Sequence, residues 1–119
     1  MTADTTAESS TNVLDDPLTV ESQAELNDLL DEYDVVLVEF YADWCGPCQM
    51  LAPAIDRLAV ETDATIATVD VEANQELAGA YGVRGVPTLA LFANGQQVES
   101  VVGVQPEDRL RSLIEAYTE

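Results

Sequence analysis

Trp44-Cys45-Gly46-Pro47-Cys48 holds the only two cysteines of a 119-residue chain, three positions apart across a Gly-Pro pair. Residues three apart on the first turn of a helix are neighbours, and a disulfide needs its Cα atoms within about 7 Å. Such a pair can open and close locally. Pro47 suits a helix start, where its missing N–H costs nothing, so a helix is expected to begin near Cys45, with unpaired N–H groups that favour a thiolate on that sulfur. Cys45 is the candidate nucleophile that forms a mixed disulfide, and Cys48, one turn further in, is placed to attack back. Two plainer readings compete. A static structural disulfide would close a loop of a few residues and constrain the unfolded chain little. A zinc site normally takes four Cys or His ligands, and this chain has no histidine and no third cysteine; no metal is expected.

The flanking sequence supplies the frame. Val35-Val36-Leu37-Val38-Glu39-Phe40-Tyr41-Ala42 reads as a strand covered on both faces, and it runs directly into the cysteines. Met50, Leu51, Ala54, Ile55, Leu58 and Ala59 follow at helical spacing, with Pro53 inside the run and expected to kink it. A second strand at about Ala64 to Val71 makes a strand-helix-strand unit, hence a parallel pair, with the motif at the carboxyl end of a strand, where open α/β sheets place their sites. Upstream, a short strand at Leu18 to Val20 precedes the capping box Ser22-Gln23-Ala24-Glu25 and a helix with Leu26, Leu29, Leu30 and Tyr33 on one face. Downstream, Asn74 can cap a short helix bearing Leu77, Ala78 and Tyr81 and ending at Gly82. Strands at Thr88 to Ala93 and Gln97 to Val104 flank Asn94-Gly95, a tight-hairpin signal. Pro106 then opens a last helix with Leu110, Leu113, Ile114 and Tyr117 as its apolar stripe.

The chain resembles a thioredoxin over about residues 18 to 118, by WCGPC after an apolar strand, by Gly85-Val86-Pro87-Thr88 some forty residues later, and by the hairpin and final helix. The resemblance implies an α/β fold with a central mixed sheet of about five strands flanked by about four helices. It also implies a protein-disulfide reductase that donates electrons to oxidised client proteins, is re-reduced by a thioredoxin reductase, and needs no cofactor beyond the Cys45–Cys48 disulfide.

Several residues read differently with and without that resemblance. Pro87 alone is a proline opening a strand; the resemblance implies a cis peptide and a loop, including Val86, whose backbone pairs with an extended substrate segment. Gly46 and Pro47 join these as substrate-binding positions. Trp44 reads either as a core aromatic or as an exposed shield beside the cysteines, the second being favoured. Gly103 reads either as a glycine kept small beneath a docked partner or as one needed by a bulge or turn. Glu39 is an isolated carboxylate in an apolar strand, costly to bury unpaired, unless the strand end points it at solvent. Thioredoxins usually have an aspartate there, proposed to exchange a proton with the second cysteine; burial would raise the pKa of Glu39 and suit it to deprotonating Cys48. Many thioredoxins also carry lysines at the positions of Gln49 and Thr68. With those absent and with Asp43 nearby, Cys45 is expected to be less acidic than in a typical relative.

Acidic residues number 23 against four cations, all arginine (Arg57, Arg84, Arg109 and Arg111), for a formal charge of −19. Such a chain should repel nucleic acid and anionic membranes. Self-repulsion should loosen it in dilute buffer, and molar salt, with a Debye length of about 3 Å, should relieve this; the balance resembles that of salt-accumulating halophiles. Residues 1–16 read as a mobile Ser/Thr-rich acidic tail without the basic start and apolar stretch of a secretory signal, and residues 17–119 as one domain. No apolar run is long enough to span a membrane. The expected setting is a reducing cytoplasm and the default state a monomer. Two alternatives stand beside the reductase: an oxidase or isomerase of the same fold, which Gly46-Pro47 argues against, and a binding or holdase module with an incidental dithiol.

Overall fold

The computed structural model describes residues 16–118; the expected tail lies almost wholly outside the described residues. Strand β2 (Val35–Tyr41) is the middle of a five-stranded sheet in the order β1-β3-β2-β4-β5. It pairs in parallel with β3 (Thr65–Asp70) and antiparallel with β4 (Thr88–Ala93). The two-residue β1 (Leu18–Thr19) lies parallel to β3 on one edge, and β5 (Gln96–Val102) antiparallel to β4 on the other.

The continuous apolar run of β2 has the expected cause. Val35 and Leu37 face a core built with Leu51, Ile55 and Leu58 of helix α2 (Gly46–Glu61) and with Leu110 and Ile114 of α4 (Glu107–Glu115). Val36, Val38 and Phe40 face the opposite core, with Leu26 of α1 (Gln23–Glu32) and Leu77 and Ala78 of α3 (Gln75–Ala80). Side chains alternate along a strand, so Glu39 falls in the row that meets α2.

Local signals are borne out in most places. The Ser22 hydroxyl accepts from the Glu25 N–H at 3.1 Å, while the Glu25 carboxylate reaches back one residue beyond the cap to the Glu21 N–H at 2.8 Å. Asn94 (φ 54°) and Gly95 (φ 84°) form the left-handed turn of the β4–β5 hairpin. Helix α2 runs on through Pro53 as one element.

Three expectations need correction. Asn74 stands at the start of α3 without a side-chain capping bond; its Nδ2 instead donates to the Asp70 carbonyl at 3.0 Å, within a turn that Asp70 also holds through the Glu72 N–H. Strand β5 ends at Val102 rather than Val104, because Gly103 turns the backbone to φ 90°. Tyr117 lies beyond α4 and is 38% exposed; its hydroxyl donates to Glu99 instead of extending the apolar stripe.

Candidate active site

Cys45 is the N-cap of α2, and its sulfur accepts the backbone N–H of Cys48 at 3.1 Å. The Gly-Pro pair permits this: Pro47 occupies the first turn, where no N–H is required, and the capping role passes to the sulfur. The two cysteines form a disulfide with Cα atoms 5.2 Å apart. Both are buried, with Ala42 beneath them and Tyr41, Val71 and Val86 packed against them.

Around this buried pair the sequence candidates are exposed in part. Trp44 is 65% exposed, and its indole N–H donates to Glu72, which settles its place in favour of the surface. Gly46 and Pro47 are exposed beside it. Val86-Pro87 is a cis peptide, with Pro87 buried and Val86 half-buried against the cysteines. The Gly103 N–H donates to the Pro87 carbonyl at 2.8 Å, which brings the end of the hairpin to the cysteine loop. A Cβ at Gly103 would meet open space, so its positive φ is what calls for glycine there. Val102 and Val104, which flank Gly103, are 66% and 45% exposed.

Glu39 is only 5% exposed. It lines a cavity of about 290 Å³ together with Cys48, Gln49, Asp56 and Thr68. Burial, and secondarily the charge of Asp56, push its carboxyl up to about 7. Thr68 is its register partner on β3, and Leu89 is its partner on β4. Neither brings a cation. Gln49 donates from Nε2 to the Asp43 carbonyl at 3.0 Å, so it too offers no positive charge. Among the described residues no group of three or more His, Cys, Asp or Glu could hold a metal ion.

The thioredoxin family model matches residues 17–116. The chain belongs to the thioredoxin family. It is 41% identical over 92 residues to the thioredoxin of Synechocystis (76% of this chain, 86% of that one). To the thioredoxin of Bacillus subtilis it is 44% identical over 85 residues (70% of this chain, 82% of that one). A solved single-site mutant of the thioredoxin from Halobacterium salinarum NRC-1 superposes with a TM-score of 0.88 at 63% identity, covering 89% of this chain and 94% of that one. Among the described residues the thioredoxin fold is thus a mixed five-stranded sheet with four helices, the activity is thiol–disulfide exchange in the direction of disulfide reduction, and the halophile-like reading of the lysine-free acidic composition is supported by a structural neighbour from Halobacterium salinarum.

Proposed function

We propose that this thioredoxin, through residues 17–119, reduces disulfides of client proteins in two exchange steps with Cys45 attacking and Cys48 resolving. The observation that carries the assignment is the Cys45 sulfur at the N-cap of α2, receiving the Cys48 N–H. An anionic sulfur is favoured there over one elsewhere in the chain. In the first step the Cys45 thiolate attacks one client sulfur, a mixed disulfide forms, and the other client sulfur leaves as a thiolate. In the second, the Glu39 carboxylate takes the Cys48 proton, and the Cys48 thiolate attacks the Cys45 sulfur. The Cys45–Cys48 disulfide forms and the second client sulfur leaves; two electrons have passed to the client.

Thioredoxins act on oxidised client proteins, are restored by a thioredoxin reductase and need no cofactor beyond this disulfide. We assign the same cycle here, in the cytoplasm. Val86 and Pro87 contribute backbone to an extended client segment, and Trp44, Gly46, Pro47 and Gly103 border it.

The equilibrium reduction potential tests this, measured in molar potassium chloride through the fluorescence of Trp44 against a dithiothreitol redox buffer. A midpoint at about −250 mV or lower is expected. One above about −180 mV would place the protein with oxidants and isomerases, and no reversible transition would favour a binding module.

A further inference from the structure

The cavity behind the cysteines holds more carboxylate than the two-step cycle uses. Helix α2 presents Cys48, Ala52, Ile55 and Asp56 to it, positions that share one helical face. Cys48 stands at the first turn of that face and Asp56 two turns on, with Glu39 of β2 entering from the sheet. Glu39 is more than nine-tenths buried and has no hydrogen-bonding side chain as a partner among the described residues. The titratable groups around the cavity are Tyr41, Asp43, Cys48 and Asp56; β3 contributes Thr68, β4 pairs Leu89 beside Glu39, and no arginine lines it. The cation next to Asp56 in sequence, Arg57, is turned to α4, where it makes three hydrogen bonds to Glu107.

We propose that Asp56 is a positioning residue, whose negative charge across the shared cavity makes Glu39 a stronger base toward Cys48. This rests on the reading of Glu39 as proton acceptor in the resolving step. The chemistry follows from like-charge repulsion. Each proton that moves from the Cys48 sulfur to the Glu39 carboxylate also relieves the repulsion between Glu39 and Asp56, so the transfer is more favourable than to a lone carboxylate. Asp56 is exposed on its outer side, and dissolved ions therefore weaken the coupling. The strength of the base becomes a function of salt.

The experiment follows the Glu39 carboxyl directly, by carbon-13 NMR titration of the full oxidised chain. Asp56→Asn should lower the Glu39 midpoint by about half a pH unit, the size expected of a like charge several Å away through a partly aqueous medium. Asp56→Glu should restore it. Raising potassium chloride from 0.1 to 2 M should lower the wild-type midpoint by clearly more than that of Asp56→Asn, in which only the diffuse charge of the rest of the chain is left to be screened. An unmoved midpoint in Asp56→Asn, or equal salt dependence in both proteins, overturns the proposal. A second readout separates it from the reading beneath it: release of thionitrobenzoate from a Cys45 mixed disulfide by Cys48, followed against pH. If Glu39→Gln leaves that profile unchanged, the proton-acceptor role fails even where the NMR midpoint moves, and the proposal fails with it. If Glu39→Gln flattens the profile while Asp56→Asn shifts it to lower pH, both stand.

Discussion

Glu39 and Glu107 are both glutamates beside α2, in opposite surroundings. Glu107 opens α4 and receives Arg57 at 2.6 Å and Arg111 at 3.1 Å. Hydrogen bonding from Arg57 above all holds its carboxyl below the ordinary glutamate range. A second bridge, Arg111 to Glu61 at 2.7 Å, ties the same two helices together. Glu39, buried in the sheet a few residues' reach from the cysteines, has no cation and is pushed up to about 7. The chain has only four cations, and two of them sit on the α2–α4 seam. The comparison teaches that the scarce cations are placed where they tie two helices together, while the cavity behind Cys48 is left without one.

The largest effect expected is at the sulfurs themselves. Cys45→Ser should reduce disulfide reduction to background, measured with insulin as client, whereas Cys48→Ser should still attack and accumulate the mixed disulfide. If Cys48→Ser turned over normally, the division of labour between them would be wrong.

Next comes Glu39→Gln, which should slow thionitrobenzoate release about a hundredfold, the lower side of what general base catalysis supplies. The same variant sharpens the contrast through stability. The Glu39 carboxyl is raised in the folded state from 4.5 to about 7, so the folded chain binds more protons than the unfolded one between those values. Its stability relative to the variant should then fall as pH rises through that window, by as much as ~3 kcal/mol, and level off above it. Denaturant melts of both proteins at pH 4.5 and pH 8 check this; a constant difference would mean that Glu39 is not buried as described.

Salt should act on the whole molecule. With a formal charge of −19, the melting temperature should climb with potassium chloride into the molar range as self-repulsion is screened. A flat or falling curve would break the salt-adapted reading.

The smallest effect belongs to the seam. Glu107→Gln should lower Tm slightly and leave the pH profile of the resolving step untouched. Its contribution, from a carboxylate held ionised, is present at neutral pH and is lost as pH falls through the acidic range. A changed resolving profile would show the seam and the cavity to be coupled after all.

Much of this was legible in the residues. The doubly buried strand, the Cys-Gly-Pro-Cys helix start and the Asn-Gly hairpin each carry a local physical demand that tertiary packing reinforced. Glu39 was legible as an anomaly, a lone charge in an apolar run, and alternation along β2 placed it against α2. Asp56 was not, because an aspartate on a helix surface looks the same whether solvent or a cavity lies beside it. The approach of Gly103 to Pro87 was equally hidden, since a backbone hydrogen bond between distant loops leaves no mark on side-chain pattern. Asn74 misled because its side chain is turned to donate from Nδ2 to the Asp70 carbonyl, and its Oδ1 accepts no helix N–H.

The register of the hairpin changes between Leu91 and Phe92, which face Glu99 and Gln97 and leave Val98 as an extra residue on β5. That bulge bends the outer strand. On the far side of the sheet β1 supplies only two residues. At the salt concentrations this composition suits, negative charge no longer holds neighbouring molecules apart, and a long straight outer strand would be an open invitation to stack sheet on sheet edge to edge. Shape takes over that duty: one border is too short and the other too crooked to template a ladder between chains.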